Sequence, residues 1–164
     1  MDPTPFTDDW KEFLRLANLN RLRYLVVGGV AMVLHGLVRA TADIDIWIDN
    51  RPANIRKLKT VLTEFGFNML ADKLPKQFSS RQALFLGKPP YRIDVLSGIS
   101  GTLFSQAYRA KVIIKIHDLT IPVVGLNELM QNKKAAGRLK DKADVELIKQ
   151  LRQQRSNKGF RERP

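Results

Sequence analysis

Residues Asp43-Ile44-Asp45-Ile46-Trp47-Ile48 alternate strictly between polar or amphipathic and aliphatic side chains. A period of two is the signature of a β-strand. Ile44, Ile46 and Ile48 turn to the core, while Asp43 and Asp45 share the other face, about 6.6 Å apart at ~3.3 Å per residue. An ordinary half-exposed strand alternates in the same way, so the pattern needs a second signal. Arg92-Ile93-Asp94-Val95-Leu96 provides one, with Ile93 and Val95 on one face and Asp94 on the other. If the two strands pair, three carboxylates meet, and they repel one another unless cations lie between them. Two carboxylates at this spacing suit Mg²⁺, which takes oxygen ligands and often only one or two from protein. A pair of such ions stabilises the attacking and leaving oxygens of a phosphoryl displacement.

The surrounding chain predicts one α+β domain, a mixed sheet with helices packed against it. Thr7 can cap a first helix with Asp8 and Asp9 in its opening turn and Phe13, Leu14 and Ala17 on its apolar face. Tyr24–Val27 reads as a short strand ending in Gly28-Gly29, and Val30–Leu34 as a short buried helix. Glycine permits close backbone approach, and free N–H groups at a helix start can meet phosphate; a plain tight turn has the same composition. Asn50 is expected to cap a helix with Pro52 in its first turn, Ile55, Leu58, Leu62 and Phe65 on one face and Gly66 as its stop. Ala83–Leu86 and Tyr91–Leu96 flank Gly87-Lys88-Pro89-Pro90 as a strand pair; Lys111–Ile116 and Thr120–Val124 form another around His117-Asp118. Helices over about Leu126–Ala136 and Lys142–Leu151 close the chain, with Gly137 near the break. The domain is expected to span 1–154, with a flexible basic tail over 155–164.

The chain of 164 residues carries 28 Lys+Arg against 16 Asp+Glu, a net charge of +12. Cations concentrate over residues 133–142 and 149–164, whereas the first twelve residues lean acidic. Basic patches attract polyanions of any sequence, although a solvated helix face followed by a frayed tail would carry the same charge. There is no cysteine, which excludes thiolate catalysis, disulfides and Cys-type metal sites. No apolar run approaches the ~18–20 residues of a membrane helix. The acidic N-terminus is unlike a signal peptide, and the expected location is the cytoplasm, with no membrane partner. Neither the Rossmann nor the Walker glycine motif is present.

Taken in order, Gly28-Gly29-x-Ala31, His35-Gly36, Arg39-x-Thr41-x-Asp43-Ile44-Asp45, Pro89-Pro90-x-Arg92-Ile93-Asp94, Ser100-Gly101 and Asn132-Lys133-x-Ala135-x-Gly137-Arg138-x-Lys140-Asp141-x-x-Asp144 resemble the nucleotidyltransferase superfamily that includes DNA polymerase beta. Within it they resemble the small prokaryotic proteins related to abortive-infection type II toxins. The resemblance spans about Tyr24 to Leu147 and implies the nucleotidyltransferase fold and an NTP-using enzyme, ATP being one candidate substrate. It implies that Asp43 and Asp45 hold Mg²⁺ (or Mn²⁺), with Asp94 completing a second metal site and helping to deprotonate the acceptor hydroxyl. Gly28 and Gly29 would lie along the triphosphate, and Lys133 and Arg39 would meet the phosphates. The broader superfamily has Gly-Ser where this chain has Gly28-Gly29, so a phosphate-binding hydroxyl is missing; the closer relatives share Gly-Gly.

The implied reaction transfers a nucleoside monophosphate from an NTP to a hydroxyl and releases pyrophosphate. Positive charge favours RNA, tRNA included, as acceptor, which fits the toxin of a toxin–antitoxin pair. The alternatives are a protein-nucleotidylating antitoxin, a small-molecule acceptor, or a catalytically silent module that binds RNA or a partner. His35 reads as a packed helix-end residue and His117 as part of an exposed turn. Ser97, Ser100 and Thr102 lack the partners of a serine nucleophile. Trp47 shares the strand face of the two aspartates and suits either base stacking or packing.

Overall fold

Alternating aliphatic and acidic residues do form two adjacent interior strands of the sheet. The computed structural model describes residues 6–161; residues 1–5, with the acidic residue 2, and residues 162–164 of the basic tail lie outside the described residues. The chain runs α1 (Asp8–Leu19), β1 (Tyr24–Val27), α2 (Gly28–Leu34), β2 (Asp43–Ile48), α3 (Pro52–Glu64), α4 (Asn68–Asp72), β3 (Ala83–Leu86), β4 (Arg92–Leu96), α5 (Phe104–Arg109), β5 (Val112–Ile116), β6 (Leu119–Val123), α6 (Leu126–Ala136) and α7 (Leu139–Arg161). The strands make one mixed six-stranded sheet in the order β3-β4-β2-β1-β6-β5. β2 runs antiparallel to β1 and parallel to β4.

Ile44, Ile46, Ile48, Ile93 and Val95 enter the core as the alternation requires. Every residue of β1 is buried, so this central strand is covered on both faces. Thr7 caps α1, its Oγ1 accepting from Trp10 N at 3.1 Å. The buried Trp10 donates from its indole to the Tyr91 carbonyl at 3.0 Å, tying α1 to the start of β4.

Several local expectations give way to longer-range contacts. Asn50 does not cap α3. Arg51 occupies that position without a side-chain cap, and the Asn50 amide pairs instead with the backbone of Phe78, at 2.8 Å to its oxygen and 2.9 Å to its nitrogen. Pro52 has no N–H to cap, which leaves Asn50 available for that more distant partner. Two short helices, α4 and α5, fall in stretches without a clear period. α5 decides the role of Trp47: Phe104 meets the indole edge-on with ring centroids 5.2 Å apart, and Trp47 is core rather than a base-stacking platform. The final helix begins at Leu139 and continues through Arg161, so residues 155–161 are helical where a separate tail is expected.

Candidate active site

β2 and β4 are direct neighbours, with Asp45 opposite Asp94 and Asp43 opposite Arg92. Residues opposite one another in a ladder share a face, so the three acids converge as the sequence suggests. Gly28 lies beside them at the β1–α2 junction with φ +65°, and a Cβ there would collide with Asp45 Oδ2. The glycine is required twice, by its dihedral and by the carboxylate that fills the space of a side chain.

Asp45 makes no hydrogen bond or ion pair among the described residues. Burial, then the nearby charges of Asp43 and Asp94, push its carboxyl up to about 7, against a smaller opposing pull from Lys133 and Lys140. An unpartnered, half-buried carboxylate beside two others fits a cation-binding role. Asp94 is engaged differently. Arg92 clasps it with Nε to Oδ1 at 2.6 Å and Nη2 to Oδ2 at 2.8 Å, while Nη2 also lies 3.5 Å from Asp43 Oδ2. No three acidic or histidine side chains among the described residues are gathered to hold an ion by themselves. Asp43 and Asp45 therefore fit a Mg²⁺ ion as a protein pair, the remaining ligands coming from water or phosphate.

A cleft of about 650 Å³ opens over the acids. Gly28, Gly29, Arg39, Asp43, Asp45, Asp94 and Lys133, the full set of expected site residues, all line it. Thr41 lines it as well, its hydroxyl donating to the Asp43 carbonyl at 2.9 Å. The opposite wall comes from α6 and the turn into α7, with Asn132, Lys133, Arg138 and Lys140.

Lys133 is only 5% exposed, and its Nζ lies 3.3 Å from Asp141 Oδ1 and 2.9 Å from Asp144 Oδ2. Asp141 also accepts from Arg138 Nε at 2.7 Å, and Asp144 pairs with Arg39 Nε at 3.2 Å. Burial works against charge on Asp141, but Arg138 and Lys133 together hold its carboxyl below the usual range. Both basic residues expected at the phosphates, Arg39 and Lys133, thus reach the cleft already engaged with acids of α7.

Residues outside the cleft behave structurally. His35 is buried with Nε2 2.7 Å from the Val124 carbonyl, and burial lowers its pKa. Ser97 Oγ donates to the Ser80 carbonyl at 3.0 Å, and Ser100, although in the cleft, accepts from Arg81 at 2.6 Å. Arg92 and Lys140 also line the cleft, without an expected role of their own. Two-residue spacing from Asp94 was the available signal for Arg92, since it puts both on one strand face; nothing local distinguishes Lys140 from its neighbouring cations.

Acids converging on a glycine turn across from a basic wall are the kinds of group that phosphoryl chemistry, the reaction class of nucleotidyltransferases, draws on. Residues 9–156 match the family described as "Nucleotidyltransferase of unknown function (DUF6036)", and the chain belongs to that family. No curated protein matches it. Among solved structures it is similar to a Thermotoga maritima protein described as "a putative nucleotidyltransferase", at 15% identity and a TM-score of 0.47 over 93% of this chain and 91% of the other.

Proposed function

We propose that this chain transfers a nucleoside monophosphate from an NTP to a hydroxyl acceptor, with release of pyrophosphate. The observation that carries this reading is the Asp45–Asp94 register beside Asp43, under a cleft whose far wall is basic. The acceptor oxygen forms a bond to the α-phosphorus, and the bond from that phosphorus to the bridging oxygen of the pyrophosphate breaks. Asp94 receives the hydroxyl proton, with Arg92 fixing its orientation. Asp43 and Asp45 would hold Mg²⁺ (or Mn²⁺), which when bound supplies positive charge to the phosphate oxygens. The glycine turn lets the triphosphate approach the backbone closely, and the basic wall offsets its charge.

RNA is the acceptor this surface favours. Lys140, Lys142, Lys149, Arg152, Arg155 and Lys158 are exposed along α7, and a cationic helix attracts a phosphate backbone irrespective of sequence. Such an acceptor agrees with the toxin-like resemblance and with action in the cytoplasm. The Arg92–Asp94 clasp favours a second reading, a module that binds nucleotide or RNA without turnover. Incubation with α-labelled NTPs, Mg²⁺, total RNA and cell lysate separates these. Label in RNA together with released pyrophosphate supports the proposal, label confined to protein rejects the RNA acceptor, and RNA binding without pyrophosphate supports the silent module.

A further inference from the structure

Among the described residues five cations line the cleft, and four of them are already engaged. Arg39 pairs with Asp144, Arg92 with Asp94, Lys133 with Asp141 and Asp144, and Arg138 with Asp141. Lys140 has no ion pair or hydrogen bond among the described residues, is exposed, and lines the same cleft. Its neighbours set where it points. Gly137 ends α6 in the left-handed region at φ +66°, and Arg138 closes onto Asp141 through its backbone N–H at 3.2 Å and its guanidinium. That locked turn presents Lys140 from the first turn of α7. An incoming polyanion meets Lys140 without first breaking a salt bridge, whereas recruiting Lys133 would take one of two cationic partners from each of two buried carboxylates.

We propose that Lys140 is the side chain that meets the polyphosphate tail of the nucleotide, with Lys133 serving as a brace that holds α6 against α7. This assignment rests on the nucleotidyl-transfer reading for its ligand and departs from the sequence expectation, which gave the phosphate contact to Lys133.

The test is calorimetric titration of the full chain, in Mg²⁺, with tripolyphosphate, ATP and AMP, alongside pyrophosphate release from NTPs. Lys140→Ala is expected to weaken tripolyphosphate and ATP binding roughly ten- to hundred-fold, the range of a lost charge-assisted hydrogen bond. Its AMP affinity should stay within about threefold and its melting temperature should not move, because the side chain is solvent-exposed. Lys140→Arg should restore the tripolyphosphate affinity. Equal tripolyphosphate affinity in Lys140→Ala and wild type overturns the assignment, even if NTP turnover proceeds. Loss of that affinity in Lys140→Ala, in a protein that releases no pyrophosphate, upholds the assignment and rejects the transferase. Failure of wild type to bind any of the three ligands rejects both.

Discussion

Asp45 occupies the space that a side chain on residue 28 would need. Its Oδ2 stands where a Cβ of residue 28 would fall, and Gly28 holds φ +65° beside it. The turn and the acid therefore depend on each other, and the mutual fit extends to energetics, because the same tight placement buries a carboxylate that has no partner.

Gly28→Ala should both strain the backbone and displace the Asp45 carboxylate. The left-handed conformation alone costs about 1–2 kcal/mol for a residue with a Cβ, and the collision adds to it. A loss of about 2–4 kcal/mol in urea unfolding is expected, together with loss of pyrophosphate release. A variant with wild-type stability would overturn this mutual dependence of turn and acid.

Asp45 should make stability depend on pH. Its folded pKa of about 7 exceeds the reference value of 3.8, so the folded chain holds this proton more tightly than the unfolded chain. The resulting stabilisation is complete below the unfolded value and is lost as pH rises through the folded one. Without divalent cation, wild type should lose about 2–4 kcal/mol relative to Asp45→Asn between pH 4 and 7.5. Comparison with the variant separates this slope from that of Asp141, whose lowered pKa acts in the opposite direction in acid.

Added Mg²⁺ should reverse that loss in wild type only. A cation that binds the folded chain and not the unfolded one raises the melting temperature with its concentration. Thermal scans at pH 7.5 with Mg²⁺ and with a chelator should differ for wild type and coincide for Asp45→Asn. A Mg²⁺ shift of equal size in the variant places the ion elsewhere.

Lys133→Met should damage the fold before it affects nucleotide. Asp141 and Asp144 are 0% and 2% exposed, and removing one partner from a buried ion cluster typically costs about 3–5 kcal/mol. Chemical denaturation is the direct measurement. Unchanged stability with a selective loss of ATP affinity would falsify the bracing role.

Ile44→Asp offers a contrast on the other face of β2. Ile44 is fully packed, and an unpaired charge there has no compensating contact. The variant should fail to give a cooperative unfolding transition at neutral pH, although Asp43 and Asp45 flank it as before.

Features with a short period were the legible ones. β1, β2 and α6 have the bounds that alternation, glycine stops and apolar spacing suggest, and the acids on β2 and β4 needed only the rule that alternate residues share a face. Partnerships across the fold were not legible. Asn50 resembles a helix cap by position, yet its amide is taken by Phe78, 28 residues away. Lys133 resembles a solvated or phosphate-seeking cation until α7 folds back and encloses it between Asp141 and Asp144. Trp47 remained ambiguous because α5, which covers it, is one short helix in a stretch without apolar period. In each case the deciding contact comes from an element whose position is set by the sheet as a whole.

Asp45 and Asp94 sit on interior strands, with β1 on one side and β3 on the other. Their separation is therefore governed by ladder geometry, about 4.8 Å between neighbouring strands, and not by the length of any loop. The connections over residues 73–77 and 97–103 do not set that distance, whereas Phe78 between them is held in the core and by Asn50. A scaffold of this kind can diversify what enters the cleft while its chemical centre stays dimensionally constant.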